Sequence, residues 1–461
     1  MLVQQFVDEG LGNSSYLIVA EESGLAAVVD PQRDVERYLQ AAEGMGLRIA
    51  YALDTHLHND FVSGAREIAA ATRARAAASA EAELDFEHLA LRDGDFIELG
   101  EVVIKVLATP GHTPEHISFS ANEAGVQTPE ALFTGGALIT GGAARTDLLG
   151  EENAIPLAHR LFHSIHDKLL AYPDETRLYP THGAGSFCAA PAVTERSSTI
   201  GRERSWNPLV RARDEEEFVA RALSGLPSYP AYFKQLRRIN QHGPALLGGV
   251  PRLKPLSPEE VSRLTAESAA VVDVRRAEAF GAGHVPGSYG IPLETPLSPW
   301  AGWVIPFGSA LILVGESEAE RTDAVRQLIR IGYDDLRGYL EGGMQAWEAE
   351  GNPTDRVERI SAQELARRLA SAEAPAVLDV RSNAEWQSGH IPGALHIEAG
   401  DLPLKEHPIP EERLTIVHCA HANRSTVSIS VLKQRGYKNI ALLRGGFFAW
   451  QTSGYPVTKP E

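Results

Sequence analysis

The chain has 461 residues, 43% hydrophobic and 23% charged, an ordinary globular balance and a length for two to four domains of about 100–200 residues each. A net charge of −18 sets nucleic acid and anionic membrane surfaces aside as partners, and no apolar run reaches the ~18 residues a membrane span needs. Two cysteines, Cys188 and Cys419, exclude a disulfide framework; with an N-terminus that lacks a basic stretch before an apolar core, they fit a reducing cytoplasm.

From residue 1 to about 245, strand-like runs recur: "SYLIVA", "LAAVVD", "RIAYALDT", "VVIKVLAT", "HISFS" and "ALFTGG". Helical segments fall among them at about 34–46, 62–73 and 155–171. "IAYALD" leads into "THLHNDF" (55–61). Residues two apart in a strand share a face, so His56 and His58 are expected to converge at the strand's end, with Asp60 at the turn that follows. His112 comes after "VVIKVLAT", in "TPGHT", and His182 after another short strand, in "LYPTHG". Any one of these histidines could simply bond to backbone. Taken together with Asp60, all at strand ends, they read as one metal site assembled from distant segments. The stretch "HGPALLGGVPRLKPL" (242–256), rich in Gly and Pro, reads as the way out of this domain, with the linker at 246–256.

The remainder is an internal repeat. "AVVDVRRAEAFGAGHVPG" (270–287) returns as "AVLDVRSNAEWQSGHIPG" (376–393), and "LEGGMQAW" (340–347) as "LRGGFFAW" (443–450). Each unit opens on a serine with glutamate three residues on, Ser257/Glu260 and Ser361/Glu364, the pattern of a helix capping box. Strands then alternate with helices, which implies parallel α/β modules at 257–355 and 356–461. In the second module, "IVHCAHANRST" (416–426) places Cys419 in a short loop between a strand and a helix. Inward-facing loop amides and the helix N-terminus favour an anion there, which lowers a thiol's pKa and makes it nucleophilic. The matching segment of the first module is "LVGESEAERTD" (313–323), where Glu316 is read at the cysteine position and Arg321 at that of Arg424. A carboxylate is no thiol nucleophile, so this module is expected to be catalytically dead and left to space, dock or dimerise, a homodimer being one open arrangement. Asp273/Arg275 and Asp379/Arg381 read as structural pairs.

The histidine constellation and the segments "DEGLGNSSYLI", "VVDPQRDVERYL", "FVSGAREIAA", "TPGHTPEHISF" and "RTDLLG" resemble the metallo-β-lactamase superfamily, nearest its glyoxalase II and persulfide dioxygenase branch. That resemblance implies an αββα sandwich over residues 1–245. Two positions depart from the family's pattern: Phe61 replaces the last histidine of its motif, and Gly136 replaces the carboxylate of its "FTGD". Persulfide dioxygenases hold one iron(II) with two histidines and a carboxylate; by position these would be His56, His112 and residue 136. Three arrangements stay open, in this order: His56, His58 and His112 around one zinc or iron ion; Asp60 supplying the missing carboxylate; or an empty site. Any second metal would keep only Asp60 and His182. By the same resemblance Arg145 lies beside the active site, either holding a carboxylate such as that of glutathione or solvated at the surface. Cys188, six residues past His182, is either a small buried apolar group or a thiol near the metal that accepts sulfur.

The repeats resemble rhodanese (sulfurtransferase) domains through "DVR", "GHIPGA" and "GGFFAW". Cys419 and Arg424 have four residues between them, fewer than in related phosphatases, a cradle that suits one sulfane sulfur. The resemblance implies a Cys419 persulfide intermediate, with Arg424 orienting the loop and His421 either lining the entrance or solvated. The whole chain resembles fusions of a persulfide dioxygenase-like domain with two rhodanese domains, which implies small thiols and persulfides, thiosulfate or sulfite as partners. Two other readings remain: a zinc-dependent thioester or lactamase-type hydrolase, and a non-catalytic persulfide-binding protein.

Overall fold

The computed structural model describes every residue except Gln127, Pro191, Ala192, Lys405 and Glu461. The chain forms two compact units, Met1–Val250 with Ile329–Gly332, and Pro251–Leu328 with Tyr333–Glu461. Among the described residues no helix is long and apolar enough to cross a membrane.

In the first unit two six-stranded sheets pack face to face. One runs Leu2–Asp8, Asn13–Ala20, Leu25–Val29, Arg48–Leu53, Arg75–Ser79 and Leu89–Leu91; the other contains Phe96–Leu99, Val102–Ala108, Ile117–Glu123, Ala131–Gly135, Arg177–Pro180 and Ser198–Thr199. Alternation along the strands sorts their apolar side chains. Tyr16, Ile18, Ala27 and Val29 meet Ile104, Val106, Phe119 and Phe133 between the sheets. The opposite faces are covered by helices. Leu17, Val19, Ala26 and Val28 pack on Tyr38 and Ile68, from helices Glu36–Gly44 and Ala65–Thr72. Leu132 and Leu178 pack on Leu161 and Phe218, from helices Glu151–His163 and Glu215–Ala222. This is the expected αββα sandwich.

In the second unit the repeat is visible as topology. Each half is a five-stranded all-parallel sheet with the same strand order. The Ser257 capping box is complete; Ser361 caps its helix too, but Glu364 turns to Arg367 and Arg368. A further box, unread in the sequence, joins Ser382 and Glu385. Asp273/Arg275 and Asp379/Arg381 form ion pairs on fully buried carboxylates, and each arginine also donates to the glycine carbonyl of its "GH" turn, Gly283 or Gly389.

The expected linker at 246–256 is largely structured. Arg66 and Arg33 hold the carbonyls of Pro244 and Ala245, the Glu67 carboxylate receives the amides of Leu247 and Gly248, and Glu36 receives that of Val250. Residues 246–250 are thus strapped to the first unit, while Pro255–Leu256 pairs with Leu336–Leu340. Gly and Pro there mark a hydrogen-bonded strap, a distinction composition alone cannot make. Glu67 is buried, so Glu67→Ala leaves two amides without their acceptor, at about 1–3 kcal/mol. The expected result is faster limited proteolysis between residues 244 and 254 and a lower Tm.

Candidate functional site

The histidines gather where strands of both sheets end. His56 follows the strand ending at Leu53, His112 the strand ending at Ala108, and His182 the strand ending at Pro180. All are buried, together with Asp60. Beneath them Asp30, a non-glycine residue at φ 50°, works as a hub. Its carboxylate receives the Thr55 amide (2.7 Å) and hydroxyl (2.8 Å), the Thr181 hydroxyl and His58 Nε2 (3.2 Å). Burial alone would raise its pKa; His58, Thr181 and Thr55 together bring it below the ordinary value. Asn240 clamps the loop from outside, receiving the Ser63 amide and donating to the carbonyls of His58 and Phe61. Glu115 receives the Leu57 amide and is held by Arg237 in a two-pronged pair.

The rings of His56 and His58 lie 4.2 Å apart, tilted by 57°. The strand ends at Leu53, so the two-residue alternation does not reach them. His56 turns its Nε2 to within 3.2 Å of His182 Nε2, whereas His58 turns its Nε2 to Asp30 and stacks on Phe61 at 4.0 Å. Nitrogens of His56, His112 and His182 lie within 4.8 Å of one another. A second set joins His58, Asp60 and His182, and a third Asp30, Asp54 and His58. His112 Nε2, His58 Nδ1 and Asp60 Oδ1 are buried with no hydrogen-bond partner. Burial, reinforced by neighbouring rings, pushes the pKa of His56 and His112 well below the usual histidine value and keeps them neutral. Orphaned buried donor atoms on neutral imidazoles are what a bound metal ion satisfies, so the residues present fit one.

The two departures from the family pattern fill space. Phe61 is fully buried against His58. At Gly136 a Cβ would lie 2.5 Å from His112 Cδ2, so His112 occupies the room a side chain would need. The Gly136 amide donates to Nε2 of His116, a further buried histidine whose pKa burial pushes down to about 3.

Arg145 is buried, not solvated at the surface. Its guanidinium is engaged on every nitrogen, by both oxygens of Asp147 and by the carbonyls of Phe187 and Pro227, and it lies over the Tyr229 ring. Its own carbonyl receives His112 Nδ1 and its amide donates to the Cys188 carbonyl, so this arginine builds the site's wall. Cys188 is buried; burial, with the Asp60 carboxylate adding to it, raises its pKa well above that of a free thiol and keeps it protonated.

In the second unit Cys419 follows the strand Thr415–His418 and precedes the helix Asn423–Gln434. Its carbonyl accepts from the Phe447 amide (2.7 Å) and that of Ala420 from Phe448 (3.0 Å). In a trans peptide the C=O and the following N–H point opposite ways. Pinning these two carbonyls to helix Gly446–Thr452 therefore turns the amides of Ala420 and His421 away from that helix, as a nest for an anion. The close approach requires Gly446: a Cβ would meet the carbonyl oxygens of Cys419, Ala420 and His421 at 2.4–2.7 Å. Arg424 is held by Glu385 through two bonds of 2.6 and 2.8 Å. His421 is exposed at the rim near the exposed Phe448.

The first repeat shows what is missing there. Asp379 pairs with His418 and Asp273 with Val314, so the sheet register sets Gly315, and not Glu316, at the position of Cys419. The helices begin five and four residues beyond the paired strand residues, at Asn423 and Glu318, so Glu320 rather than Arg321 falls opposite Arg424 when the count continues from Gly315. The amides of Glu316 and Ser317 are taken by the Glu320 carboxylate (2.8 and 3.3 Å). Arg321 instead donates to the Gly315 carbonyl and stacks on Tyr339. One residue's shift in a loop is invisible to motif matching and plain in a strand register.

An αββα sandwich with a histidine centre, followed by two parallel α/β modules of which one carries a cysteine cradle, defines the class. The metallo-beta-lactamase superfamily matches residues 8–182, and the rhodanese-like domain matches residues 257–350 and 361–453. Human mitochondrial persulfide dioxygenase ETHE1 is 30% identical over 220 residues, 47% of this chain and 78% of that protein. A sulfurtransferase of Allochromatium vinosum is 35% identical over 105 residues, 23% of this chain and 98% of that one. The crystal structure of a metallo-beta-lactamase from Staphylococcus aureus covers 73% of this chain and 98% of its own, at 32% identity and a TM-score of 0.65. The chain belongs to the metallo-beta-lactamase superfamily, in a form that carries two rhodanese-like domains. It is a sulfur-metabolism protein with persulfide dioxygenase-like and sulfurtransferase-like domains.

Two outcomes follow from the crowding at the glycines. Gly136→Asp, which restores the family's carboxylate on paper, displaces His112; overpacking of this kind costs about 1–3 kcal/mol, so Tm and metal content both fall. Gly446→Ala forces the Cys419 loop outward, and kcat/KM for sulfur transfer drops about 100-fold with the fold intact by circular dichroism.

Proposed function

We propose that the protein transfers sulfane sulfur through Cys419, and that its first domain oxidises a persulfide at one metal ion. The observation that carries the first part is the pair of amides, Ala420 and His421, turned away from the helix that pins their carbonyls. With thiosulfate as donor, the Cys419 thiolate attacks the outer sulfur. The S–S bond breaks, sulfite leaves with the electron pair, and the sulfur stays on Cys419 as a persulfide. An acceptor thiolate then attacks that outer sulfur and takes it, which returns the Cys419 thiolate. Run in reverse, a thiol persulfide loads Cys419 and sulfite unloads it as thiosulfate. No outside oxidant or reductant enters either direction. Arg424, fixed by Glu385, offers its charge to the anionic donor. Cys419 is almost wholly buried, which admits a small thiol or an extended anion more readily than a bulky chain.

In the first domain, iron or zinc, when bound, supplies a cationic centre for a sulfur anion and, for iron, for oxygen. This chain's residues present buried neutral imidazoles to it and exclude water. The absence of a carboxylate at position 136 and of a histidine at position 61 argues against two ions, and so against a two-zinc hydrolase.

Cys419→Ser is expected to reduce thiosulfate- and glutathione persulfide-dependent sulfur transfer to the uncatalysed background; unchanged turnover overturns the transferase reading. Metal removal from the intact protein is expected to abolish oxygen consumption on glutathione persulfide and leave Cys419-dependent transfer from thiosulfate unaffected.

A further inference from the structure

We infer that the metal ion of the first domain is held by three histidines, His56, His112 and His182, with His182 as third ligand and His58 outside the set. This rests on the reading that the first domain holds one ion.

The tautomer of each ring is set by what its Nδ1 touches. His112 Nδ1 is 2.7 Å from the Arg145 carbonyl oxygen, which can only accept, so the proton sits on Nδ1 and Nε2 carries a lone pair. At His182 the chain of logic is one step longer. Asn13 donates its Nδ2 to Asp60 Oδ2 at 2.8 Å, so its Oδ1 is the atom facing His182 Nδ1 at 3.2 Å; Asp60 Oδ2 lies 3.3 Å from the same nitrogen. Both neighbours accept, so His182 also carries its proton on Nδ1. At His56 the Thr55 hydroxyl gives its proton to Asp30 Oδ2 and is left to accept from His56 Nδ1 at 2.8 Å. All three rings therefore bare a lone pair at Nε2.

Those lone pairs converge. His56 Nε2 and His182 Nε2 are 3.2 Å apart, while His112 Nε2 has no partner. Two facing lone pairs in a dry site repel; a cation that all three reach turns the repulsion into ligation. The acceptors behind the rings, namely Asp30 through Thr55, Asp60 with Asn13, and the Arg145 carbonyl, are the outer partners that fix a metal-binding histidine and raise its basicity.

His58 has the opposite arrangement. Its Nε2 donates to the Asp30 carboxylate and its ring is stacked on Phe61, and the cluster it joins is a different one, with Asp60 and His182. His182 belongs to both nitrogen clusters, yet with its Nδ1 proton committed it has one lone pair to give. One chain therefore holds one ion, and Asp60 acts from behind His182. Three neutral ligands leave the ion's charge uncompensated, which favours an anionic sulfur ligand, a thiolate or a persulfide, over a neutral thioester carbonyl.

The test is titration of the metal-free full-length protein with cobalt(II) in the absence of oxygen, read by visible absorption and by cobalt per chain. Wild type and His58→Gln are expected to bind one cobalt with similar affinity. His182→Gln is expected to lose about 100-fold or more, and Asp60→Asn about 10–100-fold. Retention by His182→Gln with loss in His58→Gln overturns the assignment in favour of His56, His58 and His112, and two cobalt ions per chain overturn the single site. No binding by a wild type that is folded by circular dichroism overturns both this inference and the metal reading beneath it. Histidine nitrogen chemical shifts of the zinc-loaded wild type decide the same point without a variant: three metal-bound Nε2 signals, with His58 unbound, are expected.

Discussion

The first unit is organised around one buried carboxylate. Asp30 sits at the end of the strand Leu25–Val29 in a left-handed conformation, and it ties to itself the residues that follow two other strands, Thr55 and Thr181. A charge buried this deeply is tolerable only when its lone pairs are filled, and here Thr55, Thr181 and His58 fill them. The consequence is geometric. With Thr55 and Thr181 fixed to one point, the adjacent His56 and His182 are brought within hydrogen-bonding distance although 126 residues separate them in sequence. The same carboxylate holds His58 directly, through its Nε2. The composition of the nitrogen cluster is decided one layer below it.

In the second unit the repeat serves as its own control. Both halves share strand order, the Asp–Arg pair at the end of the first strand, and the pair of glycines before the last helix. They differ together at three positions: Cys419, Arg424 and Glu385 in one half stand against Gly315, Glu320 and Ala279 in the other. The glycine facing the loop reports the same difference. Gly446 is wedged against three carbonyls, whereas nothing lies within 4 Å of a Cβ built at Gly343. In the first half Glu320 brings its own negative charge to the loop amides, so the nest is filled from within. The fold is kept while the cradle is not.

Much of this was legible in the chain. Alternation and glycine punctuation marked the sheets, and the repeat announced the parallel modules. The cysteine loop is local: strand, cradle and helix are consecutive, so the spacing from Cys419 to Arg424 carries most of its meaning. The metal cluster is not local. Its members are named by motif, but the direction in which each ring points depends on partners such as Asn13, Asp30 and Asn240, which lie outside the histidine motifs. The "VVDP" and "GNSS" segments were visible as likeness without a stated role. For Arg145 the sequence left substrate binding and surface solvation both open, and its hydrogen bonds to Asp147 and to the carbonyls of Phe187 and Pro227 depend on segments that no motif connects to it. The shift from Glu316 to Gly315 needed strand pairing, because a glutamate–arginine spacing of five imitates the cysteine–arginine spacing by coincidence.

Glu385 serves two structures at once. It closes the capping box at the start of the helix Asn383–Ser388, accepting the Ser382 amide at Oε2, and it grips the Arg424 guanidinium with both oxygens, Oε2 among them. A short helix of this kind is marginal alone and frays from its first turn. Its fraying and the freedom of Arg424 are therefore one equilibrium. Arg424 meets Cys419 while Glu385 still holds it, so one carboxylate anchors both the start of a helix and the guanidinium beside the thiol.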